Sequence, residues 1–440
     1  MSLRLLGYRL YKTNTGVLST GLLLMAILGL SCLSTSIFNK QNQALAQSYV
    51  QTIKFRNLVI DLGNGVKTNA QLTYPAIGKG PFPSILLISG SGALDKNETS
   101  GSIHKSGPKP ATNQWQIARY LSKRGFAVLR YDKRGVGPFS YNILNSNVWG
   151  NATANDFIHD AEKALNVLIQ QPEVDPKRVS LIGHSEGTIY APRIAIDNST
   201  KVKNIILMGT VAQNFGDVVF YQTVPLPLEY AIQVLDKNHT GFISIEQIAK
   251  DPVLLMNLPL PNSILRPNNT KTITNTLVRE FGTNGSISIG KQLKPLLMKS
   301  YENLTALILS KCINIKGCPI WFRSQLSLLP TLSIIGNVSK TTGILILNGE
   351  NDSQTPVQQA FLLQQRLTDV QHPDHTLITY PNLGHLFYPS SQWLTGAGPI
   401  EPYVLTDLYS WLEAHSGLSQ PYTATPTSTL AANTSSSINR

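Results

Sequence analysis

The sequence predicts an α/β fold in which a mostly parallel central sheet carries helices on both faces and an inserted cap. Strand-like apolar runs alternate with amphipathic helical segments from residue 53 to 208 and again from 343 to 414. Between residues 213 and 339 this alternation is absent, and the chain is rich in Leu, Pro, Asn and Thr. Because strands that alternate with helices form parallel sheets, the two outer parts should build one core and the middle part an insertion.

The first part of the core, residues 47–212, begins with a predicted hairpin. Strands over 53–60 and 69–74 flank Gly63-Asn64-Gly65, a sequence that favours a tight turn. Further strands are predicted at 84–89, 126–131, 178–182 and 204–208, and helices at 114–124, 155–171 and 188–196.

The cap is predicted over residues 213–340, with helix-like segments at 228–235 and 293–309. The second part of the core, residues 341–416, has the remaining elements: strands at 343–347 and 376–380, and helices at 357–367 and 403–414. The last segment, 417–440, is rich in Ser and Thr with almost no apolar residues, which predicts a disordered tail.

The N-terminal residues have the layout of a signal peptide. Arg4, Arg9 and Lys12 precede an apolar stretch over 17–37 that ends near Ala44-Leu45-Ala46. We expect cleavage after residue 46 and a secreted or periplasmic protein. The alternative is an uncleaved membrane anchor, because the apolar stretch is long enough to span a bilayer.

Charge and cysteines narrow the possible partners. The formal net charge is +12, but no Lys/Arg run concentrates it, so we expect no nucleic-acid partner. A membrane contact is expected only through an uncleaved leader. After cleavage two cysteines remain, Cys312 and Cys318, and a pair this close in an exported chain predicts one local disulfide.

Residues 183–187, which we call the elbow, read Gly-His-Ser-Glu-Gly and follow the pattern G-x-S-x-G. In this pattern the flanking glycines permit a sharp strand-to-helix turn that presents a nucleophilic serine. A predicted strand precedes the elbow and a predicted helix follows it, as the pattern requires. The alternative is a glycine-rich turn with an ordinary serine. The sequence therefore predicts Ser185 as a nucleophile.

A serine nucleophile needs a base and an orienting carboxylate. Asp352 and His385 each follow a predicted strand, so both should lie at the sheet edge where ligands bind in open parallel sheets. Glu350 is the rival acid. His372 and His375 precede the last strand, so we expect them on the surface at the opposite edge.

Acyl transfer also needs hydrogen-bond donors for the oxyanion. We predict the backbone N–H of Glu186, directly after the nucleophile, and that of Ser91, in the glycine-rich segment 89–92. We call this segment the oxyanion loop. His184 should point away from Ser185, because adjacent elbow residues face opposite directions, and should pack or hydrogen-bond beneath the turn.

The chain resembles bacterial α/β-hydrolase esterases of the dienelactone-hydrolase-like and serine-aminopeptidase-like group. The resemblance rests on the runs 86–92, 128–135, 172–175 and 183–187. It implies the α/β-hydrolase fold, carboxylesterase activity on small or medium acyl esters, and no cofactor. Two features depart from the family: Ala93 stands where Pro is usual, and residues 100–112 are inserted. The long cap matches nothing in the family.

Two further groups of residues could be mistaken for catalytic or metal-binding residues. Asp132 and Arg134 are expected to form a buried structural ion pair below the active-site edge. In the cap, Asp236, Asn238 and Thr240 occupy the first, third and fifth positions of a calcium-binding-loop pattern, but Gln247 replaces the bidentate Glu at position twelve. This makes them a weak calcium candidate, and otherwise no metal is expected.

Together these observations predict an exported carboxylesterase with a Ser185-Asp352-His385 triad and a small-molecule acyl ester as substrate. One alternative is an aminopeptidase or amidase, which would need clustered carboxylates in the cap to hold the substrate amine. The acidic residues of the cap are too scattered for this: Glu229, Asp236, Glu246, Glu280 and Glu302. The second alternative is a binding protein that has kept the fold without turnover.

Overall fold

The computed structural model describes residues 53–100, 111–258, 270–311, 320–394, 396 and 398–418. The predicted signal peptide, both cysteines of the predicted disulfide and all but the first two residues of the predicted tail lie outside these residues. Within the described ranges, no helix has both the length and the apolar character needed to cross a membrane.

The strands of the described residues follow one another along the chain as β1 (Ile53–Gly63), β2 (Val66–Pro75), β3 (Phe82–Ile88), β4 (Thr99–Ser100), β5 (Ala111–Thr112), β6 (Ala127–Tyr131), β7 (Val174–His184), β8 (Val202–Met208), β9 (Phe242–Ser244), β10 (Ser286–Ser288), β11 (Gly343–Gly349) and β12 (His375–Tyr380). The helices are α1 (Asn113–Ser122), α2 (Ser146–Gly150), α3 (Ala154–Ile169), α4 (Gly187–Asp197), α5 (Phe215–Thr223), α6 (Pro225–Tyr230), α7 (Ile245–Lys250), α8 (Pro252–Asn257), α9 (Thr270–Phe281), α10 (Lys294–Lys311), α11 (Ile320–Ser327), α12 (Thr331–Ile334), α13 (Gln358–Asp369) and α14 (Pro402–His415).

Eight strands form the central sheet in the order β1-β2-β6-β3-β7-β8-β11-β12. All neighbours from β6 to β12 in this order pair in parallel, while β2 runs antiparallel to both β1 and β6. Gly63, Asn64 and Gly65 turn the chain between β1 and β2 with positive φ angles, as the turn signal predicts. The predicted mostly parallel sheet is therefore confirmed.

Apolar side chains pack on both faces of this sheet, because successive residues of a strand point to opposite sides. Leu86 of β3 belongs to a core shared with α3, α4 and α13. Its neighbours Ile85 and Leu87 belong to a second core shared with α1 and α14. The predicted helices on both faces are thus present, and all carboxyl ends of the parallel strands meet at one edge.

Between β8 and β11 the described residues add no strand to the central sheet. They form α5 to α12, the small sheet of β9 and β10, and a separate apolar core that includes Ile243, Leu254 and Leu277. The limits 213–340 stay a prediction, as do the other domain limits.

Part of this cap consists of two helix–loop–helix units whose loops pair through β9 and β10. β9 and β10 pair antiparallel with Ile243 opposite Ile287. The amide of Ile245 donates to the Gly285 carbonyl and the amide of Ile289 donates to the Gly241 carbonyl, both at 2.9 Å. This pairing resembles that of two EF-hands.

The calcium candidate lies in the first of these loops. The Asp236 carboxylate accepts hydrogen bonds from the Thr240 amide (2.8 Å), the Thr240 hydroxyl (2.9 Å) and the Gly241 amide (2.6 Å). Asn238 is exposed. No three His, Cys, Asp or Glu side chains among the described residues are grouped to hold a metal ion. The calcium site stays a prediction.

Glutamines occupy equivalent positions after both loops. Gln247 Oε1 accepts from the Ser244 amide at 2.8 Å, and Gln292 Oε1 accepts from the Ser288 amide at 2.9 Å. The side-chain amide of each glutamine donates to a carbonyl that precedes its loop. Both loops are therefore closed by uncharged side chains, where a calcium-binding loop uses a bidentate Glu.

The surface position expected for His372 is wrong. His372 does precede β12 at the predicted edge, but it is only 2% exposed, and its Nε2 donates to the Ser339 carbonyl at 3.2 Å. Burial lowers the pKa of the imidazole. The cause is the segment before β11, which covers this loop and contributes a hydrogen bond from Lys340 Nζ to the Val370 carbonyl at 2.6 Å.

Candidate active site

Ser185 lies at the turn between β7 and α4 with a φ of +54°. This is the left-handed region, which residues other than glycine rarely occupy. Its amide donates to the Met208 carbonyl at the end of β8 at 2.9 Å. The strained backbone is the feature that the G-x-S-x-G pattern predicts, and it lifts the serine above the strand end.

The two glycines of the elbow are required by close backbone approach. A Cβ on Gly183 would lie 2.3 Å from the Gly187 carbonyl oxygen, and a Cβ on Gly187 would lie 2.3 Å from the Ile88 carbonyl oxygen. Neither contact could be relieved by rotation of a side chain, because both partners are backbone. The elbow is therefore packed directly against the end of β3.

Asp352 follows β11 and His385 follows β12, and the structure brings the two side chains together. His385 Nδ1 lies 2.8 Å from Asp352 Oδ2, and both residues are buried. The carboxylate also accepts from the Thr355 hydroxyl and from the amides of Gln354 and Thr355, each at 2.8 Å. Since a carboxylate can only accept at Nδ1, His385 carries a proton there, and Nε2 remains for Ser185.

The rival acid Glu350 does not take part in this contact. It is exposed, and its Oε1 accepts from the Thr379 hydroxyl at 2.8 Å. Asp352 stands two residues farther along the loop than Glu350, and this extra length lets its carboxylate reach His385.

The other contact of the predicted triad, between Ser185 and His385, is not formed in this arrangement. Ser185 Oγ makes no hydrogen bond to His385 or to any other described residue, although the His385 ring lies 4.9 Å, centroid to centroid, from that of the adjacent His184. Bonds between nucleophile and base commonly tighten only when substrate binds. The catalytic roles of Ser185, Asp352 and His385 stay predictions.

The oxyanion loop lies against the nucleophile, since a Cβ on Gly90 would be 3.0 Å from Ser185 Cβ. The Gly90 amide is engaged by Glu98 Oε1 at 2.6 Å. The amides of Ser91 and Glu186 donate to no acceptor among the described residues, so both are free for a ligand. Their role as oxyanion donors also stays a prediction.

Two buried ion pairs flank the nucleophile, and sequence analysis missed one partner in each. Glu98 lies 2.9 Å from His184 Nδ1, and Lys133 Nζ lies 2.9 Å from Glu186 Oε2. The only signal in the sequence was position, since both partners follow carboxyl ends of core strands. His184 does hydrogen-bond beneath the turn, as predicted.

The attraction between His184 and Glu98 determines the protonation states of the two side chains. Burial disfavours the charged forms of both groups, but their mutual attraction and hydrogen bonding outweigh it. The pKa of His184 is therefore raised and that of Glu98 is lowered.

The cap touches the site at two places. Gln325 of α11 donates to the Glu186 carboxylate and to the Tyr190 hydroxyl, and Gln222 of α5 donates to the Gln354 carbonyl at 2.7 Å. The insertion is therefore bonded to both the elbow and the loop that carries Asp352.

The ion pair expected between Asp132 and Arg134 is wrong. Asp132 accepts from the amide of Lys96 at 2.7 Å and faces its ammonium group at 3.4 Å. Arg134 binds two carboxylates of α3 instead, Asp156 at 2.9 Å and Asp160 at 2.6 Å. Both residues lie beyond the end of β6, where the chain turns, so Asp132 faces the loop that carries Lys96 and Arg134 faces α3.

The solved structures similar to this chain include an α/β-hydrolase, GrgF, from Penicillium sp. sh18, with a TM-score of 0.45, 16% identity and coverage of 82% of this chain and 99% of that one. The proline iminopeptidase of Mycobacterium smegmatis has a TM-score of 0.46 and 13% identity, and covers 83% of this chain and 100% of that one.

Two family models match parts of the chain. The model described as "Serine aminopeptidase, S33" matches residues 111–240, which include the elbow. The model described as "Prolyl oligopeptidase family" matches residues 316–419, which include Asp352 and His385. The two matches therefore cover different parts of the predicted triad.

Curated relatives match about two fifths of the chain. Esterase EstD of Thermotoga maritima is 29% identical over 178 residues, which cover 38% of each chain. Esterase FrsA of Yersinia enterocolitica is 24% identical over 176 residues, which cover 40% of this chain and 36% of the relative. The chain thus spans little more than a third of the length of these relatives. On these matches and the sheet topology, the chain belongs to the α/β-hydrolase family and is distantly related to bacterial esterases.

Proposed function

We propose that the protein is a carboxylesterase that cleaves small or medium acyl esters through an acyl-enzyme on Ser185. The observation that carries this proposal is the left-handed Ser185 on the same sheet edge as the hydrogen-bonded pair His385 and Asp352. Relatives named as esterases support the same reaction class.

In the proposed mechanism His385 Nε2 takes the proton of Ser185 as the hydroxyl attacks the ester carbonyl. The carbonyl oxygen becomes an oxyanion held by the amides of Ser91 and Glu186. His385 then protonates the departing alcohol, and an acyl-enzyme remains. Water, activated by the same imidazole, hydrolyses this ester and restores the serine. Asp352 keeps Nδ1 protonated and stabilises the imidazolium that forms.

The nucleophile can be tested with Ser185→Ala. We expect kcat on p-nitrophenyl acetate and butyrate to fall at least about 10⁴-fold, because attack by the hydroxyl is lost. A fluorophosphonate probe should label the wild type and not this variant. Ser327→Ala, which changes an exposed cap serine, is the matched control. An unlabelled wild-type protein without turnover would favour the binding-protein alternative.

The role of Asp352 can be tested by replacing it and the nearby Glu350, each with the corresponding amide residue. Asp352→Asn should lower kcat about 10⁴-fold, because the amide no longer fixes the His385 tautomer. Glu350→Gln changes a carboxylate two residues away and should leave kcat within about twofold, because its side chain bonds only to Thr379. Equal losses in the two variants would contradict the assignment of Asp352.

An exposed apolar hairpin beside the oxyanion loop supports a substrate with an apolar acyl chain. Residues 136–144, joined by a bridge between Val136 and Ile143, present exposed side chains at Phe139, Ile143 and Leu144. The Tyr141 amide donates to the Ala93 carbonyl at 2.5 Å, which anchors the hairpin just past Ser91. Phe139 and Tyr141 both have positive φ angles, a strain that is typical of functional loops.

We expect the double variant Phe139→Ser and Leu144→Ser to lower kcat/KM for hexanoate and octanoate esters about tenfold relative to acetate, because apolar contact with the longer chains is lost. The control is Phe361→Ser with Leu362→Ser, two exposed apolar residues of α13. If the ratio of kcat/KM for the longer esters to kcat/KM for acetate is unchanged, or shifts equally in the control, the hairpin does not bind the acyl chain.

A peptidase is the second candidate, because both matching family models carry peptidase names. The described cap residues offer little to hold a substrate amine: Glu229 and Glu302 are exposed, and Glu246 is paired with Lys250. Turnover of aminoacyl p-nitroanilides in place of the esters, again lost in Ser185→Ala, would move the protein to this class.

We also propose that the protein is exported. The basic residues, the apolar stretch and the small-residue site before Gln47 support cleavage of a leader. The mass of protein recovered from the periplasm or the medium should correspond to a chain that starts at Gln47. Full-length protein retained in the membrane would instead support the uncleaved anchor.

A further inference from the structure

The residues on either side of Ser185 each belong to a buried ion pair. His184 pairs with Glu98, and Glu186 pairs with Lys133, both at 2.9 Å. All four side chains are at least nine-tenths buried. Such pairs are costly to break, because removing one partner leaves an uncompensated charge in a medium of low polarity.

Both pairs converge on one residue, Gly90, and bind the two peptide groups on either side of it. Glu98 Oε1 accepts from the Gly90 amide at 2.6 Å, and Lys133 Nζ donates to the Gly90 carbonyl oxygen at 2.5 Å. Gly90 is therefore held from its N–H side by the partner of His184 and from its carbonyl side by the partner of Glu186. The next residue is Ser91, whose amide is free.

The first pair also reaches the loop of the base. His184 Nε2 lies 3.2 Å from the His385 carbonyl oxygen, an atom that can only accept a hydrogen bond. Nδ1 faces a carboxylate that already accepts from Gly90. Both ring nitrogens of His184 are therefore donors, so the ring is an imidazolium that links Glu98 to the backbone of His385.

We propose that Glu98 is a positioning residue for catalysis: together with the His184 imidazolium and Lys133, it fixes the Gly90–Ser91 peptide against the elbow so that the Ser91 amide meets the oxyanion. This inference rests on the proposed function, and neither Glu98 nor Lys133 touches the reacting atoms. Holding a donor in place before the reaction is what makes backbone amides effective in an oxyanion site.

The ion pair between His184 and Glu98 exists only over a limited range of pH. The groups that face His184 are Glu98, Asp352 and His385, which come from three different loops. A raised His184 pKa means that the pair is intact below that value and is lost as pH rises through it. A lowered Glu98 pKa means that the pair is also lost as pH falls through that carboxyl's own value. Activity should therefore decline as pH rises through the raised pKa of His184, because the imidazolium loses its proton.

The test is Glu98→Gln in the full chain, with acetate ester as substrate and fluorophosphonate labelling as a second readout. We expect kcat and the labelling rate to fall about 10- to 100-fold with KM within about threefold, since one oxyanion donor is displaced rather than removed. The decline of kcat with rising pH should vanish, because the pair is already broken. Lys133→Met, which frees the other side of Gly90, should give a similar loss, and the two losses should not add.

The matched control is Glu173→Gln, which breaks a carboxylate pair with Arg56 at the opposite edge of the sheet. It should lower the melting temperature without changing kcat, and all rates are measured well below each variant's melting temperature. Unchanged kcat and labelling in Glu98→Gln, with a labelled wild type, would overturn the positioning role alone. An unlabelled, inactive wild type would overturn the proposed function and this role together.

Discussion

Ser185 has a left-handed backbone because β7 must turn into α4 within two residues, at a point where β3 and β8 already press against it. Neither glycine of the elbow could carry a side chain without meeting backbone oxygen. The turn therefore has one arrangement, and that arrangement fixes the direction of the serine hydroxyl and of the Glu186 amide. The acid, the base and the oxyanion loop are all placed relative to this turn.

The parallel sheet explains how distant segments reach the turn. The oxyanion loop, the elbow, Asp352 and His385 follow β3, β7, β11 and β12, whose carboxyl ends share one edge. A common edge brings these side chains close together but does not orient them. Orientation comes from buried polar groups that must all be satisfied in a medium of low polarity, such as Glu98 with His184 and the four donors around Asp352.

The sequence predicted the sheet, the turn at the elbow and the meeting of Asp352 with His385, because each depends on local order: a strand, then a short loop, then one polar residue. Pairings of charged side chains depend on the paths of whole loops, and here prediction failed. Asp132 and Arg134 are two residues apart and bind different partners. His372 is buried by a segment some thirty residues away. Glu98 and Lys133 have no local signature, and only their common bond to Gly90 reveals them.

The cap is partly a unit with its own core and partly continuous with the core of the central sheet. Its two loops are closed by Gln247 and Gln292 and share a separate core, whereas Phe215, Trp321 and Phe322 pack into the core of the sheet. Its contact with the elbow is different, because Gln325 satisfies Glu186 and Tyr190, both buried beside the nucleophile. Without this contact Glu186 would still bind Lys133 and Tyr190, but each group would lose one hydrogen bond, a contribution of about 0.5–3 kcal/mol. The Glu186 carboxylate therefore joins the cap, through Gln325, to the oxyanion loop, through Lys133.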